Sequence, residues 1–511
     1  MRFRSALAVA LLLLTACTSD GGVTAGTSSR DTSDGASTTD SGSDSDSGSE
    51  PNRPAGTLEW ADFGDSNRVQ TSSLEVPLDY SDPSKGTIDL YVTRHLAKPD
   101  RRIGSLMVNP GGPGFGGSDW AIYADQVYSD ALLDRFDIIG WDPRGTGLSS
   151  PALDCVDDYD RYYTGIDITP DTDAERQAAI DITKEFTDGC IERSGDVMAS
   201  MGTNNSARDM DAIREALGEA TISYFGFSYG SELGTTWATL FPDTVRAVAV
   251  DGAADPNVDT LESGIQQSEG FERALDTFLA DCSADAKCAF HRDGDAEGAF
   301  DALMQRIDDQ PIPTEDGRPD LTRGMALNGA AEAMYTPANW PELASALDAA
   351  DQGDGSGLLE LFDSYFQRQQ DGTWPNILEA FQVISCMDDT ARPTVEEDDA
   401  DSAAFRAVAP RMAPATIGSY FCTFFPPTKD PRVEITGKGA GPILVMGTTG
   451  DPATPIEGTR NMADSLEDGR LVTVKAEGHG GYGTSDCATN VIDQYLIDPV
   501  GKAPKDGTTC G

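Results

Sequence analysis

A serine acts as a nucleophile when a base can take its proton, an acid holds that base, and donors await the charge that develops on the substrate. Gly226-Phe227-Ser228-Tyr229-Gly230 places a serine between glycines, after the apolar β-rich segment 222–227 and before a helical pattern beginning near Gly230. The glycines allow a sharp strand-to-helix turn that lifts the Ser228 hydroxyl and aims a helix N-terminus at it. G-x-S-x-G alone is weak, because Gly and Ser are common. The strand before it and the helix after it make Ser228 the candidate nucleophile for acyl transfer rather than part of a structural turn.

The chain offers 3 His as bases. His95 falls in an early strand and His291 just after Cys288, and both read as structural. His479, in Glu477-Gly478-His479-Gly480-Gly481, follows the last apolar strand on a Gly-flanked loop able to reach the serine. A buried carboxylate must fix the tautomer of this base. Asp451, in Gly450-Asp451-Pro452-Ala453-Thr454-Pro455, ends the strand before the His479 strand and is the first choice. Asp251, at the end of strand 245–251, is the alternative. Donors for the oxyanion are expected from the Tyr229 backbone N–H and from the loop Asn109-Pro110-Gly111-Gly112-Pro113-Gly114, through Gly112. Pro113 interrupts any dinucleotide-binding reading of these glycines.

These residues need a scaffold that gathers strand ends. Apolar segments at 73–78, 88–94, 103–109, 136–141, 222–227, 245–251, 443–447 and 471–475 predict eight strands, the first of them an antiparallel hairpin. Helical patterns at 173–190, 206–217 and 230–240 lie between several of them, which predicts an α/β fold with a mainly parallel sheet covered on both faces. From Ala254 to about Pro431 the pattern is helical without convincing strands. This predicts a cap inserted between the sixth and seventh strands, over the sheet edge where open α/β folds bind ligands.

Composition limits the partners. With 37 Lys+Arg against 86 Asp+Glu and a net charge of -49, the chain repels phosphate backbones and anionic membrane surfaces, so no nucleic acid is expected. Arg2 and Arg4 precede an apolar run, Ala6 to Leu14, that is too short to span a bilayer and reads as a signal peptide over 1–16. It ends in Leu14-Thr15-Ala16-Cys17, similar to a bacterial lipobox, so Cys17 is expected to carry a lipid. Either lipidation or ordinary cleavage exports the chain, and the only membrane contact expected is the anchor. Residues 17–56 are rich in Ser, Thr, Asp and Gly and read as a flexible tether. The remaining eight cysteines fall into sequential couples whose short loops close at lowest entropy cost: Cys155–Cys190, Cys282–Cys288, Cys386–Cys422 and Cys487–Cys510. No C-x-x-C pair occurs, so no metal site is expected.

Taken in order, Gly111-Gly112-Pro113-Gly114, Asp142-Pro143-Arg144-Gly145-Thr146-Gly147, Gly226-Phe227-Ser228-Tyr229-Gly230-Ser231, Gly450-Asp451-Pro452-Ala453-Thr454-Pro455 and Gly478-His479-Gly480 resemble the exported tripeptidyl aminopeptidases of actinobacteria. These belong with the prolyl aminopeptidases in the α/β-hydrolase fold, and the resemblance spans about 57–511. It departs at Pro110, where prolyl aminopeptidases carry a His. The pattern divides the folded body into a core at 57–254 and 436–511 and a helical cap at 255–435, and the resemblance implies release of short peptides from free N-termini through an acyl-enzyme on Ser228, with no cofactor needed. Two alternatives stay open. One is a carboxylesterase on lipid or small esters; the other is a non-catalytic ligand-binding lipoprotein.

Overall fold

The computed structural model describes residues 56–165 and 168–511. The expected signal peptide, lipidated Cys17 and tether lie outside the described residues, apart from Gly56.

Among the described residues one sheet of ten strands runs in the order β1-β2-β3-β5-β4-β6-β7-β8-β9-β10. The strands are β1 (Ala61–Asp62), β2 (Val69–Pro77), β3 (Thr87–His95), β4 (Gly104–Asn109), β5 (Phe136–Trp141), β6 (Ile222–Phe227), β7 (Val245–Asp251), β8 (Ile443–Gly450), β9 (Gly469–Glu477) and β10 (Thr508–Cys510). The eight expected strands are all present. The two extra ones, β1 and β10, are edge strands of two and three residues, too short to leave a period in the sequence. β1, β2 and β3 pair antiparallel, as does β3 with β5, and the other neighbours are parallel.

Burial explains the two kinds of strand. β4 and β5 are buried at every residue, as parallel strands covered on both faces must be. β2 alternates between buried and exposed positions, as suits the lead-in hairpin. Helices of ten residues or more are labelled in chain order. α1 (Asp173–Met198), α2 (Thr203–Ala216) and α3 (Gly230–Leu240) precede β7. α4 (Thr260–Ala284), α5 (Ala296–Asp309), α6 (Arg323–Met334), α7 (Trp340–Asp351), α8 (Ser356–Tyr365), α9 (Ile377–Asp388) and α10 (Val395–Val408) lie between β7 and β8. α11 (Ile456–Ser465) and α12 (Asp486–Ile497) flank β9.

The apolar core has three parts. One face of the sheet packs Met107, Ile139, Tyr224, Val248 and Val445 with α2 and α3. The other packs Leu106, Ile138, Phe225 and Leu444 with α12. The long insertion has its own core, in which Leu275, Phe278, Leu303, Leu327, Leu347 and Phe362 meet. α9 and the segment after α10 depart from this within the insertion: Ala380, Val383, Ile384 and Met387, with Cys422, Phe425 and Ile435, join the first sheet core instead. The segment expected as a single cap, 255–435, therefore spans two packing environments. Four disulfides join Cys155–Cys190, Cys282–Cys288, Cys386–Cys422 and Cys487–Cys510, the couples that loop entropy favours.

Candidate active site

β6 ends at Phe227 and α3 begins at Gly230, so Ser228 occupies the turn itself. Its φ of 55° is a left-handed conformation that costs a non-glycine residue energy, and such outliers gather where structure serves function. The turn is fixed from both sides: Ser228 N–H donates to the Asp251 carbonyl at 3.0 Å, and the Ser231 N–H donates back to the Ser228 carbonyl at 2.7 Å. Asn109 ends β4 in register with Gly226 of β6, which brings the 110–114 loop beside the elbow. The approach is close. A β-carbon on Gly111, where φ is 110°, would stand 2.7 Å from the Ser228 β-carbon and 3.3 Å from the Tyr229 nitrogen. Gly112 follows with φ of 106°, so the loop that carries the second expected donor lies against the residue that carries the first.

His479 is 8% exposed and held on every side. Its Nδ1 lies 2.8 and 3.0 Å from the two Asp451 oxygens, so Nδ1 carries the proton and Nε2 is left as acceptor. The Thr454 hydroxyl lies 3.2 Å from the same nitrogen. Asp451 is itself fixed by the N–H groups of Ala453 at 3.0 Å, Thr454 at 2.8 Å and Gly480 at 3.2 Å. Gly252 leaves room for the ring, since a β-carbon there would come within 2.8 Å of His479 Cε1. The imidazole thus sits against the strand end whose carbonyl holds Ser228. Among the described residues the hydrogen bonds of the His479 ring go to Asp451 and Thr454 and not to Ser228. Burial opposes the charged imidazolium, but Asp451 and Asp251 outweigh it and hold the His479 pKa above its ordinary value.

Asp251, the alternative acid, has a different place. Its carboxylate accepts Gly481 N–H at 2.8 and 2.9 Å and Tyr482 N–H at 2.7 Å, so it anchors the backbone after His479 instead of the ring. Burial raises its pKa, against the lowering effect of those two N–H groups. The other histidines stand apart: His95 pairs with Ile138 inside the sheet, and His291 Nδ1 lies 3.0 Å from the Cys282 carbonyl.

The motif around Arg144 is structural. Arg144 is fully buried, forks onto Asp209 at 2.6 and 2.8 Å, and donates to the carbonyls of Leu78 at 2.8 Å and Ser200 at 3.0 Å. It joins the lead-in hairpin to the start of α2.

Sequence reasoning missed the residues through which the insertion reaches this site. The Tyr335 carbonyl, just after α6, accepts the His479 N–H at 2.9 Å, and its ring stands edge-on to the imidazole at 5.4 Å and 90°. Gln267 of α4 donates to the Ala453 carbonyl at 3.1 Å, beside Asp451. One turn before Tyr335, Glu332 accepts a hydrogen bond from Ser364 at 3.4 Å, and burial pushes its carboxyl up to about 7. Three other acids near the motifs are engaged elsewhere: Glu232 pairs with Arg432, Asp255 accepts from Asn461 at 2.7 Å, and Glu262 lies beside Gln266 at 3.5 Å. No local signal could have found Tyr335 or Glu332, because Tyr335 meets His479 from 144 residues away and Glu332 meets Ser364 from 32 residues away. Among the described residues, no group of three or more His, Cys, Asp or Glu is arranged to hold a metal ion.

Comparison with known proteins places this geometry. Residues 104–291 match the family described as alpha/beta hydrolase fold, and residues 411–510 match the one described as TAP-like protein. The serine protease Hip1 of Mycobacterium tuberculosis (strain CDC 1551 / Oshkosh) is 34% identical over 461 residues, covering 86% of each chain. This chain belongs to the TAP-like α/β-hydrolases. Within that family, Carboxylesterase B of the same organism is also 34% identical, over 472 residues and 88% of each chain. The tripeptidyl aminopeptidase of Streptomyces lividans is 29% identical over 475 residues, covering 89% of this chain and 86% of the relative. The chain is a serine hydrolase.

Proposed function

We propose that this serine hydrolase is an exported aminopeptidase that releases short peptides, tripeptides in the first instance, from substrates with a free N-terminus. Ser228 Oγ attacks the scissile carbonyl while His479 Nε2 takes its proton. Asp451 holds the imidazole through Nδ1 and stabilises the imidazolium. The Tyr229 and Gly112 N–H groups receive the oxyanion. His479 then protonates the leaving amine, and water, deprotonated by the same nitrogen, releases the peptide from Ser228.

The observation that carries the reading is the roof. α4, Tyr335 and α9 lie on the Asp451, His479 and Gly114 loops respectively, and a site covered in this way suits the end of a chain better than its middle. Glu332, one turn before Tyr335 and bonded to Ser364 of α8, is the acid we assign to the substrate ammonium. The carboxylesterase reading is favoured by the relative of that name at the same 34% identity. At the other end of the chain, Cys17 is the proposed lipid attachment point, with 17–56 as the tether between membrane and enzyme.

Fluorophosphonate labelling, then hydrolysis of free and N-acetylated tripeptide p-nitroanilides and a p-nitrophenyl ester, on wild type and Ser228→Ala, tests this. The expected result is labelling at Ser228 and cleavage of the free-amine peptide alone among the anilides. Ester hydrolysis with neither anilide cleaved would replace the peptidase by the esterase. For the anchor, Cys17→Ala should move the protein from the membrane fraction to the medium.

A further inference from the structure

We infer that α9 is a strut that positions the oxyanion hole from both sides, and that Asp388 is the positioning residue through which it holds Tyr229. The inference rests on the proposed roles of Ser228 as nucleophile and Tyr229 N–H as oxyanion donor.

The first side is a direct contact. A β-carbon on Gly114, where φ is 92°, would lie 2.8 Å from the Phe381 nitrogen and 3.0 Å from the Ala380 β-carbon. The loop carrying Gly112 is therefore backed by the N-terminal half of α9. The second side is a relay. Asp388, the last residue of α9, accepts the Thr203 N–H at 2.6 Å and the Thr203 hydroxyl at 2.5 Å. The Thr203 oxygen is in turn 2.5 Å from the Tyr229 hydroxyl. With its single proton given to Asp388, Thr203 accepts from Tyr229, so the three groups form one directed chain. From Ala380 to Asp388 is about 12 Å of helix at 1.5 Å per residue, a span that reaches both donors.

Asp388 is placed for this and little else. Among the described ion pairs none reaches its carboxylate: Arg432 donates its backbone N–H to the Asp388 carbonyl at 3.0 Å but turns its guanidinium to Glu232. Burial, with smaller contributions from the neighbouring acids Asp430 and Asp389, pushes the Asp388 carboxyl up to about 7 against the two Thr203 hydrogen bonds. A buried carboxyl without a cation is costly and earns its keep only through the hydrogen bonds it makes. Both of those described go to Thr203. The strut is also fastened: Cys386 is bonded to Cys422, and Gln382 donates to the Phe421 carbonyl at 2.9 Å. Ser228 is held at a φ of 55°, a strained conformation that persists only where the surrounding structure fixes it, and the anchored Tyr229 side chain is part of that hold.

The test uses the full chain and the rate of fluorophosphonate labelling, whose phosphonyl oxygen takes the oxyanion position, with kcat and KM on the best anilide or ester alongside. Tyr229→Phe and Thr203→Val each remove one link. Labelling rate and kcat are expected to fall about tenfold with KM within about twofold, since a loosened donor loses part of the effect of a deleted one. Thr203→Ser keeps the hydroxyl and is expected to restore both. If Tyr229→Phe and Thr203→Val label at the wild-type rate, or if Thr203→Ser is as slow as Thr203→Val, the inference is wrong. Failure of the wild type to label at Ser228 would instead remove the proposed function, and the strut with it.

Discussion

The sheet and the insertion contribute to the site in different ways. Each sheet residue sits in a short motif at a strand end: Ser228 after β6, Asp251 closing β7, Asp451 after β8 and His479 after β9. The insertion provides no comparable motif. It acts through single groups that are remote in sequence, namely the Tyr335 carbonyl, the Gln267 amide and the Asp388 carboxyl. Reacting groups can be specified locally by a turn that only certain residues accept. A roof is specified by packing, and many sequences pack. Chemistry should therefore be brittle to substitution in the first region and adjustable in the second.

That contrast is most severely tested at the sheet. Ser228→Ala should abolish labelling and lower kcat by about 10⁴- to 10⁶-fold, with the fold unchanged by circular dichroism. Asp451→Asn should cost about 10⁴-fold, because the amide favours the wrong imidazole tautomer. Asp251→Asn should cost less, about 10- to 100-fold in kcat, since it displaces the backbone of the histidine loop and leaves the ring partner intact. If Asp251→Asn proved as damaging as Asp451→Asn, the two carboxylates would share one role and the assignment would need revision. In the insertion, Glu332→Gln should raise KM for free-amine peptides about tenfold and leave ester turnover unchanged, a loss of one charge-assisted contact. Equal effects on both substrates would return Glu332 to a structural role.

Two pH effects sharpen the same comparison. The base must be neutral, so kcat/KM should fall as pH drops through the His479 pKa, which Asp451 and Asp251 hold above the ordinary histidine value. Asp451→Asn should move this acid limb to lower pH among its residual activity. Stability should follow the insertion instead. Glu332, Glu379 and Asp388 are each pushed up to about 7 by burial, so the native state binds their protons more tightly than the unfolded chain. The folded form then gains stability as pH falls through 7 toward ordinary carboxyl values, and melting should occur a few degrees higher at pH 5.5 than at pH 8. Further acidification reverses this, because Asp134 and Asp157 are held below their usual values by Lys98 and Arg193.

Much of the site was legible because its residues occur where backbone geometry restricts choice. Ser228 required glycines around a strand-to-helix turn, and His479 and Asp451 followed from chain order and strand ends. The edge strands β1 and β10 were not legible, being too short for any alternation to register. The helices of the insertion were read from periodicity, yet their allegiance was not: nothing in Ile377–Asp388 distinguishes a helix that joins the sheet core from its neighbours that do not. Asp251 reads from the sequence as the alternative acid, yet its carboxylate meets the Gly481 and Tyr482 backbone, since a carboxylate at a strand end can address a ring or a backbone with equal ease. Arg144 stands in a short motif, but its partner Asp209 lies 65 residues away.

The bond between Cys386 and Cys422 adds a question of timing. It ties the strut helix to the segment behind it, and such bonds form under oxidising conditions and are rare where glutathione keeps thiols reduced. In the compartment where it is synthesised, the chain would carry its candidate nucleophile, base and acid but not the fastened α9. On the proposed export, a hydrolase built in this way would reach full strength only after leaving the proteins it could damage.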